Sequence, residues 1–136
     1  MAADESRGPS TTVFEAVGGM AFFEELVDRF YDGVAEDEAL LALYPDPADL
    51  GPARRHLALF LAQYWGGPAE YSALRGHPAL RMRHAPFAIG LEARDRWLTH
   101  MRAALAAMDL EARVAHVMED YVAMAADALR NIDDRL

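Results

Sequence analysis

Residues 63–87 read QYWGGPAEYSALRGHPALRMRHAPF, a stretch that no single helix or strand can carry from end to end. Gly66, Gly67 and Gly76 weaken a helix, and Pro68, Pro78 and Pro86 stop one that reaches them. Taken as residues 64–90, the segment spans 27 residues and holds four of the nine glycines and three of the seven prolines. Helices in a simple bundle are joined by loops of about 2–8 residues. A longer interrupted segment costs chain entropy without regular hydrogen bonding, so it is expected to arrange something. It also carries His77, His84, Arg75, Arg81 and Arg83.

On both sides of this break the pattern is helical. Thr12 and Glu15 have capping-box spacing, and Gly18-Gly19 closes that short helix. Phe22, Phe23, Leu26, Val27, Phe30, Tyr31 and Val34 then follow one helix face. A polar turn at residues 36–38 leads to a short apolar piece ending at Tyr44-Pro45. Asp49 is placed to cap a third helix, with Pro52 in its first turn and a buried face of Leu57, Phe60, Leu61, Tyr64 and Trp65. A long helix over about 91–108 presents Trp97, Met101, Leu105 and Met108. The last, over about 111–132, presents Val114, Val117, Tyr121, Ala125, Leu129 and Ile132. No alternating apolar–polar run competes, so the class is all-α.

The totals narrow the function. With 136 residues the chain fits one domain, expected over residues 11–136 behind a disordered tail of residues 1–10. No apolar run reaches the roughly 20 residues that span a bilayer, and MAADESRGPS has no secretory core. A cytoplasmic protein without stable membrane insertion is the expectation. The absence of cysteine excludes disulfides, thiolate metal sites and covalently attached haem. A net charge of −9 without a basic stripe disfavours nucleic acid. Arg75, Arg81 and Arg83, with no acid between Glu70 and Glu92, form a local basic patch suited to a small anion.

Five histidines remain to be placed. His56 is expected at the edge of a buried face, His77 as a cap of a short helix, and His100 and His116 in solvent. His84 is held near a helix end by Pro86, with Leu80 one turn before it and Phe87 just after. By spacing alone it is a structural ring, a general base, a metal ligand or the axial ligand of a haem. No HExxH, GxSxG, phosphate loop or dinucleotide fingerprint occurs. A lone histidine does suffice for haem, because the porphyrin supplies four nitrogens and the protein one imidazole and an apolar slot. Phe30, Tyr31, Tyr44, Phe60, Phe87 and Trp97, from separated segments, either line such a slot or simply fill a helical core.

Several motifs together resemble the group II truncated haemoglobins. They are the early Val17-Gly18-Gly19, Phe30-Tyr31, Leu43-Tyr44-Pro45, the run from Gln63 through Phe87, Arg94-Asp95 and Trp97. The likeness covers about residues 12–130. It implies a 2-on-2 helical sandwich around haem b (iron protoporphyrin IX), with His84 as the metal ligand. It further implies Tyr31, Tyr44 and Trp97 as donors to a bound diatomic ligand, and Ala53 and Leu57 as neighbours of that ligand. Phe60, Phe87, Leu57 and Leu80 are expected against the cofactor, and Arg83 and Arg81 on its propionates. The implied function is binding of dioxygen, carbon monoxide or nitric oxide at ferrous iron, with slow release through tyrosine and tryptophan hydrogen bonds. The alternative is a haem enzyme with peroxidase-like, nitric oxide or sulfide oxidising activity, served by an unidentified reductase. The family's habit of self-association admits a homodimer.

Overall fold

A computed structural model describes residues 12–134, so the expectation of a tail over residues 1–10 lies outside the described residues. The described chain is helical, without a strand. Thr12 and Glu15 form the expected capping box on α1 (Val13–Val17), and Gly18 closes it in the left-handed region at φ 102°. The helix α2 (Met20–Ala35) buries all seven residues of its predicted face. Asp37 caps the short α3 (Glu38–Leu41) by accepting the Leu40 N–H. The turn after α3 sets Tyr44 over the cavity described below.

The next helix, α4 (Gly51–Tyr64), starts beside the expected cap: Leu50 takes the cap position, while Asp49 Oδ1 accepts the Gly51 N–H at 3.0 Å. Two short helices, α5 (Glu70–Arg75) and α6 (Leu80–His84), rise out of the broken segment, followed by α7 (Leu91–Ala106) and α8 (Ala112–Ala128). The pairs α2/α4 and α7/α8 pack on each other, and α2 also packs on α7. This is the 2-on-2 sandwich. Its centre is Phe23, Phe30, Leu26, Val27, Val34, Met101 and Met118, all essentially without solvent contact.

Three sequence expectations need correction. Tyr64 is not on the buried face of α4: it is 50% exposed, because Ala58, Leu61 and Ala62 take the contact with α2 and Leu57 and Phe60 turn to the cavity. On α8 the core residues are Met118, Val122 and Ala126, one position round from the expected stripe. Tyr121, Ala125 and Leu129 face the cavity instead, and Val117 and Ile132 are largely exposed. His100 is not a solvent residue. Its side chain is 23% exposed, its Nε2 pairs with Asp37 at 2.8 Å, and its ring occupies the space a side chain at Gly33 would need.

The broken segment is held by polar staples rather than by apolar packing. The Gln63 amide donates to Ser72 Oγ at 2.8 Å and accepts the Ser72 N–H at 3.0 Å, fixing α5 against α4. His77 does not cap α6 as expected: Ala79 takes the cap position without a side-chain bond, and His77 Nδ1 accepts the Ala79 N–H in the turn before the helix. Arg83 donates to the carbonyls of Pro78, Arg75 and His77 at 2.6, 2.7 and 3.0 Å, pinning the turn that precedes its own helix.

Candidate functional site

A cavity of about 480 Å³ lies between α4, α6, α7 and α8, within the size range of small-molecule and cofactor sites. Its walls are largely apolar: Leu57 and Phe60 from α4, Leu80 from α6, Phe87 and Ile89 beyond it, and Val122 and Leu129 from the end of the fold. Ala53, Leu57, Phe60, Leu80, Phe87, Tyr31, Tyr44, Trp97, Arg83 and His84, named from sequence, all line it. Two expectations fail. Phe30 does not reach the cavity but lies wholly buried behind it, against Tyr31 at 4.8 Å and Trp97 at 5.1 Å between ring centroids. Arg81 is exposed and turned away, its guanidinium donating to the Ala128 carbonyl at the end of α8, where orphan carbonyls accept a cation.

His84 closes α6, and its Nδ1 lies 2.7 Å from the Leu80 carbonyl. A carbonyl only accepts, so Nδ1 is the donor in this contact, which leaves Nε2 as the ring nitrogen for a metal. The segment bearing it is fixed from the far end of the chain. Asn131 donates to the carbonyls of Phe87 (2.7 Å) and His84 (3.3 Å) and accepts the Ile89 N–H at 2.8 Å. Asp134 continues the clamp by accepting the Leu91 and Glu92 N–H groups at the start of α7. Neither residue was flagged in the sequence. Both act across more than 40 positions, and spacing carries no signal of that.

The polar end of the cavity is built from three aromatic side chains. The phenols of Tyr31 and Tyr44 and the Trp97 indole are neighbours there, each bearing a hydrogen-bond donor. Tyr31 and Tyr44 meet edge-on at 5.6 Å. Burial is the main reason their phenols hold their protons: that of Tyr44 is pushed up to about 12, and that of Tyr31 is raised further by burial and by Tyr44. The Arg54 guanidinium lies 5.7 Å from the Tyr31 ring centroid and is anchored by Asp28 and Asp32.

A second polar group at the cavity is basic, while Asp46 and Asp49 line it elsewhere. Arg75 Nη1 donates to His56 Nδ1 at 2.6 Å, and Arg83 stands in the same wall. Burial, followed by the charges of Arg75, Arg55 and Arg83, holds the His56 pKa below its ordinary value. The ring is therefore neutral, with its N–H on Nε2. His56 and Arg75 were not assigned to the site from sequence, although Arg75 was visible in the basic patch. Their meeting depends on the α4–α5 staple.

These residues fit a haem on grounds of their own. Among the described residues no group of three or more His, Asp or Glu side chains could hold a metal ion. His84 in an apolar slot, with cations at its edge, matches a metal that brings its other four ligands and two carboxylates with it.

The comparisons agree in kind. The family model described as bacterial-like globin matches residues 12–131. The group 2 truncated haemoglobin of Bacillus subtilis is 41% identical over 101 residues, covering 74% of each chain. Among solved structures, a thermostable haemoglobin from Thermobifida fusca superposes with a TM-score of 0.87 at 54% identity, covering 90% of this chain and 98% of that one. The group II truncated haemoglobin of Bacillus anthracis gives 0.85 at 36% identity, with 90% and 98% covered.

Proposed function

This chain belongs to the bacterial-like globins, as a group II-like truncated haemoglobin, and from that premise we propose that it holds haem b on His84 and binds dioxygen and related diatomic ligands beside Tyr31, Tyr44 and Trp97. The observation that carries the reading is the placement of His84: its Nδ1 faces the Leu80 carbonyl at 2.7 Å, and its ring lines an apolar cavity with Nε2 left for a metal. Haem, when bound, supplies the ferrous iron on which a diatomic ligand is held.

The protein's share is binding, orientation and hydrogen bonding. His84 would hold the iron, and its bond to Leu80 would strengthen the imidazole as a donor. Leu57, Phe60, Leu80 and Phe87 exclude water from the slot. Ala53, on the wall near Tyr31, offers only a methyl, so hydrogen bonding to a ligand falls to the aromatic trio. Bound dioxygen gathers negative charge, which preplaced O–H and N–H donors stabilise. The O–H groups of Tyr31 and Tyr44 and the Trp97 N–H are the donors available to a ligand. Each such bond contributes roughly 0.5–1.5 kcal/mol net, so two or three slow escape by about one to three orders of magnitude.

At the cavity edge, Arg75, the His56 Nε2–H and Arg83 are the partners for propionates, with Arg83 also spending much of its guanidinium on the 75–78 turn. Reduction of the iron falls to an external reductase. The purified, reduced protein is expected to take up one haem per chain and give a carbon monoxide difference spectrum. Failure to take up haem at equimolar supply would end this reading.

A further inference from the structure

One group of aromatic residues leads away from the cavity rather than into its polar end. Tyr121 lines the cavity, and its ring stacks on Tyr64 with 3.9 Å between centroids and 21° between planes. Tyr64 is 50% exposed. Trp65, almost fully buried, meets both rings edge-on, at 5.3 Å to Tyr64 and 5.2 Å to Tyr121. The centroid separation of the stacked pair is tighter than the usual range of about 4.5–7 Å for aromatic neighbours. A single ring-to-ring step therefore joins the cavity to solvent, through side chains that are both oxidisable. Tyr31 and Tyr71, also at the cavity, are buried to 4% exposure each.

We propose that Tyr64 is a surface one-electron oxidation site, wired to the cavity through Tyr121, at which phenolic or other aromatic reductants too large for the cavity are oxidised at the expense of hydrogen peroxide. The proposal rests on the haem reading above. In the step, the Tyr64 phenol loses one electron and its O–H proton to become a neutral phenoxyl. The electron passes by way of Tyr121 into the cavity, and the proton goes to water. Peroxide reduced there accepts two such electrons and two protons, its O–O bond breaks, and two waters form. A phenol meeting Tyr64 at the surface returns one electron and one proton, restoring the tyrosine and leaving as its own phenoxyl.

The direction follows from burial. The Tyr121 phenol is pushed up to about 12, first by burial and then by Tyr64, so it holds its proton. Oxidation without proton release is costly in an apolar setting. Tyr64 has solvent at its ring and sheds the proton as the electron leaves, so the oxidised state collects there.

The test uses the haem-loaded protein, with its Soret band recorded first. Peroxide is added in the presence of a nitroso spin trap, and adducts are mapped by mass spectrometry. The parent is expected to carry the adduct on Tyr64. Tyr64→Phe abolishes it and slows oxidation of a bulky phenol about tenfold, with the Soret band unchanged, while Tyr64→Trp, still oxidisable, restores both in part. Tyr121→Phe lowers the Tyr64 adduct several-fold. A haem-loaded parent with no adduct on Tyr64, or a Tyr64→Phe protein as fast as the parent, overturns the proposal alone. A protein with no Soret band overturns the haem reading and this step with it.

Discussion

At the scale of single residues, the account turns on how few hydrogen bonds decide the ligand's lifetime. Tyr44 stands beside Tyr31 and lines the cavity with Trp97. Tyr44→Phe is expected to speed dioxygen dissociation by about 3–10-fold, losing the bond its O–H gives. Trp97→Phe is expected to do so by about 3–10-fold. Stopped-flow traces showing Trp97→Phe equal to the parent would remove that indole from the ligand site. Arg75→Gln is expected to hasten haem loss to an acceptor protein severalfold more than Arg81→Gln, because only Arg75 lines the cavity; the reverse order would contradict the assignment. Side chains that reach the cavity from local motifs were legible as candidates in the sequence: His84 before Pro86, Tyr31 after Phe30, Tyr44 before Pro45. Those defined by a partner far along the chain were not. Arg81 and Arg83 look alike in sequence, yet one caps α8 and the other braces its own turn.

At the scale of elements, two clasps hold the site's walls, and each carries a prediction. Asn131 binds the loop between α6 and α7 through three hydrogen bonds. Asn131→Ala is expected to cost about 1–3 kcal/mol and to raise the haem-loss rate, since the loop that follows His84 loses its anchor; unchanged haem loss with lowered stability would make the clamp purely structural. The second clasp joins α3 to α7, where Asp37 pairs with His100 at 2.8 Å and Arg96 at 2.9 Å, its side chain only 9% exposed. These bonds, led by that to His100, hold the Asp37 pKa below the ordinary carboxylate range. Its contribution is therefore complete above the unfolded value near 3.9 and disappears as pH falls through the lower folded one. The stability gap between the parent and Asp37→Asn is expected to be present at about pH 6 and to narrow below about pH 4. Urea titrations giving the same gap at both ends would show that the carboxylate charge is not what the clasp uses. Helix existence was readable from periodicity, whereas the rotation of α8 and the burial of His100 were not. On α8 the apolar arc is wide enough to serve both the core and the cavity, and Gly33 makes room for a histidine only once α2 and α7 are packed together.

At the scale of the molecule, the helical pairs close around a packed core that opens on one side into the cavity, so the fold and its cofactor are energetically linked. A ligand held a thousandfold above its dissociation constant adds about 4 kcal/mol. Removing haem is thus expected to lower Tm by roughly 10–15 °C, as followed by far-ultraviolet circular dichroism; equal values for the two forms would mean that the cavity stands without support. Among the described residues, no helix is long and apolar enough to cross a membrane. The break at residues 64–90, first visible as glycine and proline punctuation, is the part of the architecture that carries His84, the basic edge and the staples between them. Its motif made the family legible, but its geometry depends on Gln63, Arg83 and Asn131 finding partners that periodicity does not specify. The central claim is tested most directly by the visible spectrum of His84→Gly supplied with equimolar haem, with and without imidazole. The account predicts a parent with a sharp Soret band, a variant in which that band is lost or shifted, and its return when imidazole fills the vacated ligand position. A variant whose spectrum matches the parent without imidazole would contradict it.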